Sequence, residues 1–70
     1  MRYKIEIWQW HSIVDTFESN SIEEILEWYR ENWLYVYERD NCAFDIYENG
    51  KLLEFEEENR LGFHKYSWED

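Results

Sequence analysis

Ser21-Ile22-Glu23-Glu24-Ile25-Leu26-Glu27-Trp28-Tyr29-Arg30-Glu31-Asn32-Trp33 is the stretch that decides the fold. Ser21 and Glu24 have capping-box spacing. The serine hydroxyl can accept from the Glu24 amide while the Glu24 carboxylate reaches back to the serine amide. Glu23 and Glu24 suit the positive end of the helix dipole. Ile22, Ile25, Leu26, Tyr29 and Trp33 recur at helical spacing, with Glu23, Glu24, Glu27, Arg30 and Glu31 mostly off that stripe. The spacing predicts a helix from Ile22 to about Asn32.

On the N-terminal side, Arg2 to Trp10 alternates with period two. Tyr3, Ile5 and Ile7 share one face, and Lys4, Glu6, Trp8 and Trp10 share the other. With His11-Ser12 as a turn, Ile13 to Glu18 returns as a second strand and closes an antiparallel hairpin. On the C-terminal side, Leu34, Val36 and Glu38 alternate with Tyr35, Tyr37 and Arg39. Their β-branched and aromatic content favours a strand over 34–38, although Val36 and Tyr37 also continue the helical stripe, and both readings stand. Cys42, Phe44 and Ile46 form one face of a further strand, which stops at Glu48-Asn49-Gly50. Asn-Gly is a strong hairpin signal because both residues tolerate positive φ. Leu52 to Glu56 reads as the return strand. Glu57 to Leu61 reads as a helical turn ended by Gly62, Phe63 and Tyr66 dock on the body, and the last few residues fray.

The expected fold class is α+β. It is a small antiparallel sheet of about four to five strands with one main helix packed on one face, in the order ββα(β)ββ. The 70 residues form a single domain, with no linker-like segment. A chain of this length buries only about 60% of its unfolded surface, so it needs reinforcement. Cys42 is the only cysteine, which excludes an internal disulfide, and His11 and His64 are too few for a Cys/His zinc site. That leaves an aromatic core or self-association. Five Trp, six Tyr and four Phe, each burying on the order of 150–250 Å2, exceed what so small a core holds, so part of the aromatic excess is expected at contact surfaces.

Seventeen acidic against seven basic side chains give a net charge of −10, split −4 over residues 1–35 and −6 over 36–70. Spread acidity of this kind keeps a protein in solution. It also repels nucleic acid and anionic membrane, so Trp8 and Trp10 are not read as a base-stacking platform, and a charge-selected partner is basic. No apolar run approaches the ~20 residues of a membrane span, and the opening residues contain no signal-peptide core. The expected compartment is the cytoplasm, where a lone thiol stays reduced.

Catalytic signatures are absent. Ser21 is explained as a cap, no GxSxG elbow occurs, and Cys42, in phase with Phe44 and Ile46, reads as a buried structural thiol. Gly50 and Gly62 have turn and cap explanations, so no phosphate loop remains. Glu54, Glu56, Glu57 and Glu58 lack a calcium-loop pattern and read as a solvated acidic edge that discourages aggregation. The chain is therefore expected to be no enzyme and to need no cofactor or metal.

Trp8-Gln9-Trp10-His11, the Phe17-Glu18-Ser19 end before Ser21-Ile22-Glu23-Glu24, and Asn41-Cys42-Ala43-Phe44 before Glu48-Asn49-Gly50 together resemble small, acidic, tryptophan-rich accessory proteins of bacteriophages and prophages. None of these is a chemical motif, so the resemblance implies an accessory or host-interaction role and carries over no functional residue. The expected function is a non-enzymatic protein-interaction domain. Its partner surface is drawn from Trp8, Trp10, Glu54, Glu56, Glu57 and Glu58. Two alternatives are an acidic nucleic-acid-mimicking inhibitor of a basic nucleic-acid-handling protein, and a self-associating domain. A homodimer is expected, with Trp8 or Trp10 near its seam.

Overall fold

In the computed structural model, which describes residues 1–33 and 41–63, the elements run β1 (Tyr3–Gln9), β2 (Ser12–Ser19), α1 (Ile22–Asn32), β3 (Ala43–Glu48), β4 (Lys51–Leu52) and α2 (Phe55–Leu61). The strands form one antiparallel sheet in the order β2-β1-β3-β4. This is the expected α+β architecture, with four strands and one main helix. The strand-or-helix choice over 34–38, and the docking and fraying expected over 64–70, lie outside the described residues.

Period-two alternation sorts β1 into two faces. Ile5 and Ile7 point toward the helices and are fully buried with Phe44 and Ile46 of β3. Ile25 and Tyr29 of α1, with Trp33 at its C-cap, close the core together with Leu53 and Phe63. Aromatic edges meet faces here: Tyr29 lies 5.3 Å from Phe44 and 5.1 Å from Phe63, and Trp33 lies 4.8 Å from Phe44, all near-perpendicular. Such pairs add about 0.5–1.5 kcal/mol each beyond the area they bury. The aromatic core is thus the reinforcement seen among the described residues.

The helix start departs from a simple capping box. Ser21 Oγ accepts from the Glu24 amide at 3.4 Å, as expected, and donates to Glu23 Oε2 at 2.9 Å. A backbone N–H first, and that bond second, hold the exposed Glu23 carboxyl below its ordinary value. The Glu24 carboxylate, however, does not return to the Ser21 amide. It accepts from Ser19 Oγ at 3.1 Å, and the same oxygen accepts from the Ser21 amide at 3.1 Å. Ser19, 5% exposed at the end of β2, therefore relays the reciprocal half of the box and locks the strand to the helix.

Three boundaries are corrected. β1 ends at Gln9, because Gln9 pairs with Ser12 and leaves Trp10-His11 as a two-residue turn in place of His11-Ser12. Cys42 precedes β3; it packs half-buried against the core and is not the fully buried strand residue expected. β4 stops at Leu52, although the Leu53 amide still reaches Ile46 O at 2.8 Å. The expected strand over Leu52 to Glu56 gives way to α2 because Glu56, Glu57 and Glu58 occupy its first turn, where the dipole favours carboxylates over a ladder of like charges. Gly62 ends α2 as expected. At φ 107 it donates to Asn59 O, while Phe63 donates back to Glu58 O at 2.8 Å.

Candidate functional site

The face of the sheet turned away from α1 collects the other half of the alternation. Lys4 stands between Glu18 and Tyr47, Glu6 between Thr16 and Asp45, and Trp8 between Ile13 and Ala43. Lys4 Nζ lies 3.1 Å from Glu6 Oε2 and 5.1 Å from the centre of the Tyr47 ring. Burial raises the Tyr47 hydroxyl above its ordinary 10.0, the nearby Glu6 and Asp45 carboxylates raise it further, and Lys4 opposes them. Glu6 is only 8% exposed, so this strip is a fixed polar network and not a loose ionic surface.

At the hairpin end the face turns apolar. The β1–β2 register slips between Ile7 and Trp8, leaving Val14 as an extra residue in β2. A bulge of this kind re-aims side chains, and here Ile13 and Val14 are 45% and 47% exposed. Trp8 is half-buried, and its buried indole N–H finds no acceptor among the described residues. Trp8, Gln9, Trp10, Asn41 and Ala43 line a groove of about 620 Å3.

Trp10 is the outlier of this end. It is 90% exposed, and its backbone adopts φ 59. Two-residue hairpin loops with positive φ at the first central position ordinarily place glycine, asparagine or aspartate there. A side chain in that region costs roughly 1–2 kcal/mol.

Of the expected acidic residues, Glu54 and Glu57 line one groove with Glu48 and Lys51, and Glu58 does not reach the surface. Glu54 is the N-cap residue of α2 without a side-chain capping bond, Glu56 is exposed, Glu57 is half-buried and Glu58 is 1% exposed. Glu58 therefore leaves the list of surface residues. Trp8 and Trp10 do come together, and they lie on a different part of the fold from α2. Residues that sequence reasoning did not assign to the site are Gln9, Ile13, Val14, Asn41 and Ala43. Only Ile13 could have been found, by pairing the hairpin back from its turn.

A second groove, of about 510 Å3, runs along the outer side of α1 beside β2. It is lined by Phe17, Glu24, Glu27, Trp28 and Glu31. Among the described residues no three His, Cys, Asp or Glu side chains gather to hold a metal ion, and no helix is long and apolar enough to cross a membrane. No protein-family model matches the chain, and neither a curated protein nor a solved structure matches it significantly.

Proposed function

We propose that the chain is a non-enzymatic protein-interaction domain of the cytoplasm, of the phage-accessory kind, that holds a basic protein partner by the tryptophan end of its sheet. The observation that carries this reading is Trp10. A large indole 90% exposed gains almost nothing from burial on folding, and its φ of 59 adds backbone strain. Strain that folding does not explain points to function. Tryptophan is also the residue type most enriched among interface residues that dominate binding energy. Trp8, Ile13 and Val14 extend the anchor, and the net charge of −10 selects the partner's sign.

The test is comparative capture from the native host with wild type and Trp10→Ala, followed by titration of the purified partner at rising salt. The reading expects a basic protein retained by wild type and lost by the variant. Screening, as the Debye length shortens from ~10 Å at 0.1 M to ~3 Å at 1 M, should weaken but not abolish binding. Binding abolished by salt and indifferent to Trp10 would favour the nucleic-acid mimic. A Trp10-dependent dimer in sedimentation equilibrium, with no captured protein, would favour self-association.

A further inference from the structure

Asn49 is the only asparagine in the chain followed by a glycine, and the pair forms the turn between β3 and β4. Both residues are exposed, at φ 52 and 80, and nothing lies within 4 Å of where a Gly50 Cβ would stand. The Asn49 backbone N–H donates to Arg2 O at 2.7 Å. Its side-chain amide makes no hydrogen bond among the described residues, and neither does the Gly50 N–H. An electrophilic side-chain carbonyl and the next backbone nitrogen are therefore both uncommitted. Elsewhere these groups are held. Asn20 Oδ1 accepts from the Arg2 amide at 2.9 Å, and the amide that follows it, of Ser21, donates to Ser19 Oγ at 3.1 Å. Asn32 Nδ2 donates to Trp28 O at 2.9 Å at the end of α1, and Asn59 lies inside α2. Asn41 is followed by Cys42, which packs against the core.

We infer that Asn49 is a self-modification site, at which the Gly50 nitrogen closes on the Asn49 side chain and converts it to aspartate and isoaspartate without an enzyme. The nitrogen attacks Asn49 Cγ, a new C–N bond forms, the Cγ–Nδ2 bond breaks, and ammonia leaves with the Gly50 amide proton. Water then opens the cyclic imide. Cleavage of the new bond leaves aspartate. Cleavage of the original peptide bond routes the backbone through Cγ and leaves isoaspartate. Water is the only co-reactant, and nothing is oxidised or reduced.

The native turn admits this closure because little holds it. β4 pairs with β3 through Tyr47–Leu52 and Glu48–Lys51, with the Leu53 amide bond to Ile46 O beyond them. A hairpin tip with so short a ladder opens at lower free energy than the whole domain. Glycine lets the backbone swing toward the Asn49 side chain with no Cβ in the way. Either product adds a negative charge to the existing −10, beside Glu48, whose Oε2 pairs with Arg2 Nη2 at 2.7 Å. Isoaspartate also inserts an extra backbone carbon into a loop whose length fixes the strand register. The Arg2 backbone is held between Asn20 Oδ1 and the Asn49 N–H. The age of the molecule is thereby coupled to the clamp at the start of β1.

The full chain, held at mildly alkaline pH in native buffer and separately in urea, is digested and followed by mass spectrometry at Asn49 and Asn20. Methyl transfer by an isoaspartyl methyltransferase counts the isoaspartate. Reaction through global unfolding alone would slow the native rate by the unfolded fraction, about 10⁻³ or less. The expected native rate at Asn49 stands well above that floor, while Asn20 converts measurably only in urea. The converted chain should show faster hydrogen exchange at the Asn49 and Leu53 amides, and Asn49→Asp, which adds the charge without the extra carbon, a smaller increase. A native rate at the floor, equal native conversion of Asn20, or unchanged exchange after conversion would overturn the site. Trp8 and Trp10 take no part, so each result is independent of the tryptophan anchor.

Discussion

The Trp28 indole lies flat on the Phe17 ring, with centroids 5.4 Å apart and planes 5° from parallel, and this contact fastens the main helix to the edge strand. Both rings are half-buried. Truncating either to alanine should cost about 1–3 kcal/mol, below the 3–5 of a fully enclosed ring. A double-mutant cycle in denaturant should return a coupling of about 0.5–1.5 kcal/mol. Additive effects would mean that the rings share a surface without supporting each other.

Ser19 should matter more than the cap it supports. Ser21→Ala removes the bond to the Glu24 amide, at about 0.5–2 kcal/mol. Ser19→Ala leaves the Ser21 amide and the Glu24 carboxylate without their shared oxygen in a nearly buried site, at about 1–3 kcal/mol. Denaturation midpoints of the two variants decide the order. A Ser19 variant as stable as wild type would remove the relay.

Two glycines grade the backbone strain that a side chain would meet. Gly50, at φ 80 after Asn49 at φ 52, has open space where a Cβ would go. Gly50→Ala should therefore cost about 1–2 kcal/mol from backbone strain alone. At Gly62, φ 107 lies farther outside the left-handed well that L residues can enter, while a Cβ would meet Leu26 Cδ1 and Cδ2 at 3.4 Å, an ordinary van der Waals contact. Gly62→Ala should be the more destabilising of the pair by thermal melting.

How far the sequence revealed this fold varies by element, for physical reasons. The hairpin, the helix bounds and the Asn49-Gly50 turn were legible because each is written locally, in alternation, capping and positive-φ chemistry. The Ser19 relay was not, since it depends on where β2 delivers its last residue. The run Glu54 to Glu58 misled because its acids fit a solvated strand edge and a helix N-terminus equally well. Burial of Glu58 is a tertiary outcome that no local pattern carries. Trp8 lies on the strand face that the alternation gave it, half-buried, whereas Trp10 is exposed from the turn and not from the strand face on which it was placed. The strain at Trp10 was not legible, because it arises from the Gln9–Ser12 pairing that places the turn one residue early.

Tyr47 gives the sheet face turned away from α1 a pH signature. Its hydroxyl is raised above 10.0 by burial first and by Glu6 and Asp45 next. A raised folded-state pKa means the native state holds the proton more tightly. The associated stability is thus fully present below pH 10.0 and is lost as pH rises through the folded value. Tyr47→Phe should flatten that alkaline decline. A Tyr47 ring that titrates at or below 10.0 by NMR would contradict the network around Glu6.

The central claim is that Trp10 is kept for binding at the expense of folding, and Trp10→Gly tests both halves in one protein. Glycine relieves the positive-φ strain of roughly 1–2 kcal/mol and gives back about 0.5–1 kcal/mol in chain entropy, so the variant should be more stable by about 0.5–1 kcal/mol in urea. The same variant, titrated calorimetrically against the captured basic partner, should lose at least about 2 kcal/mol of binding, near thirtyfold in Kd. A variant that is less stable and binds as wild type would show that Trp10 serves the fold and would contradict the account.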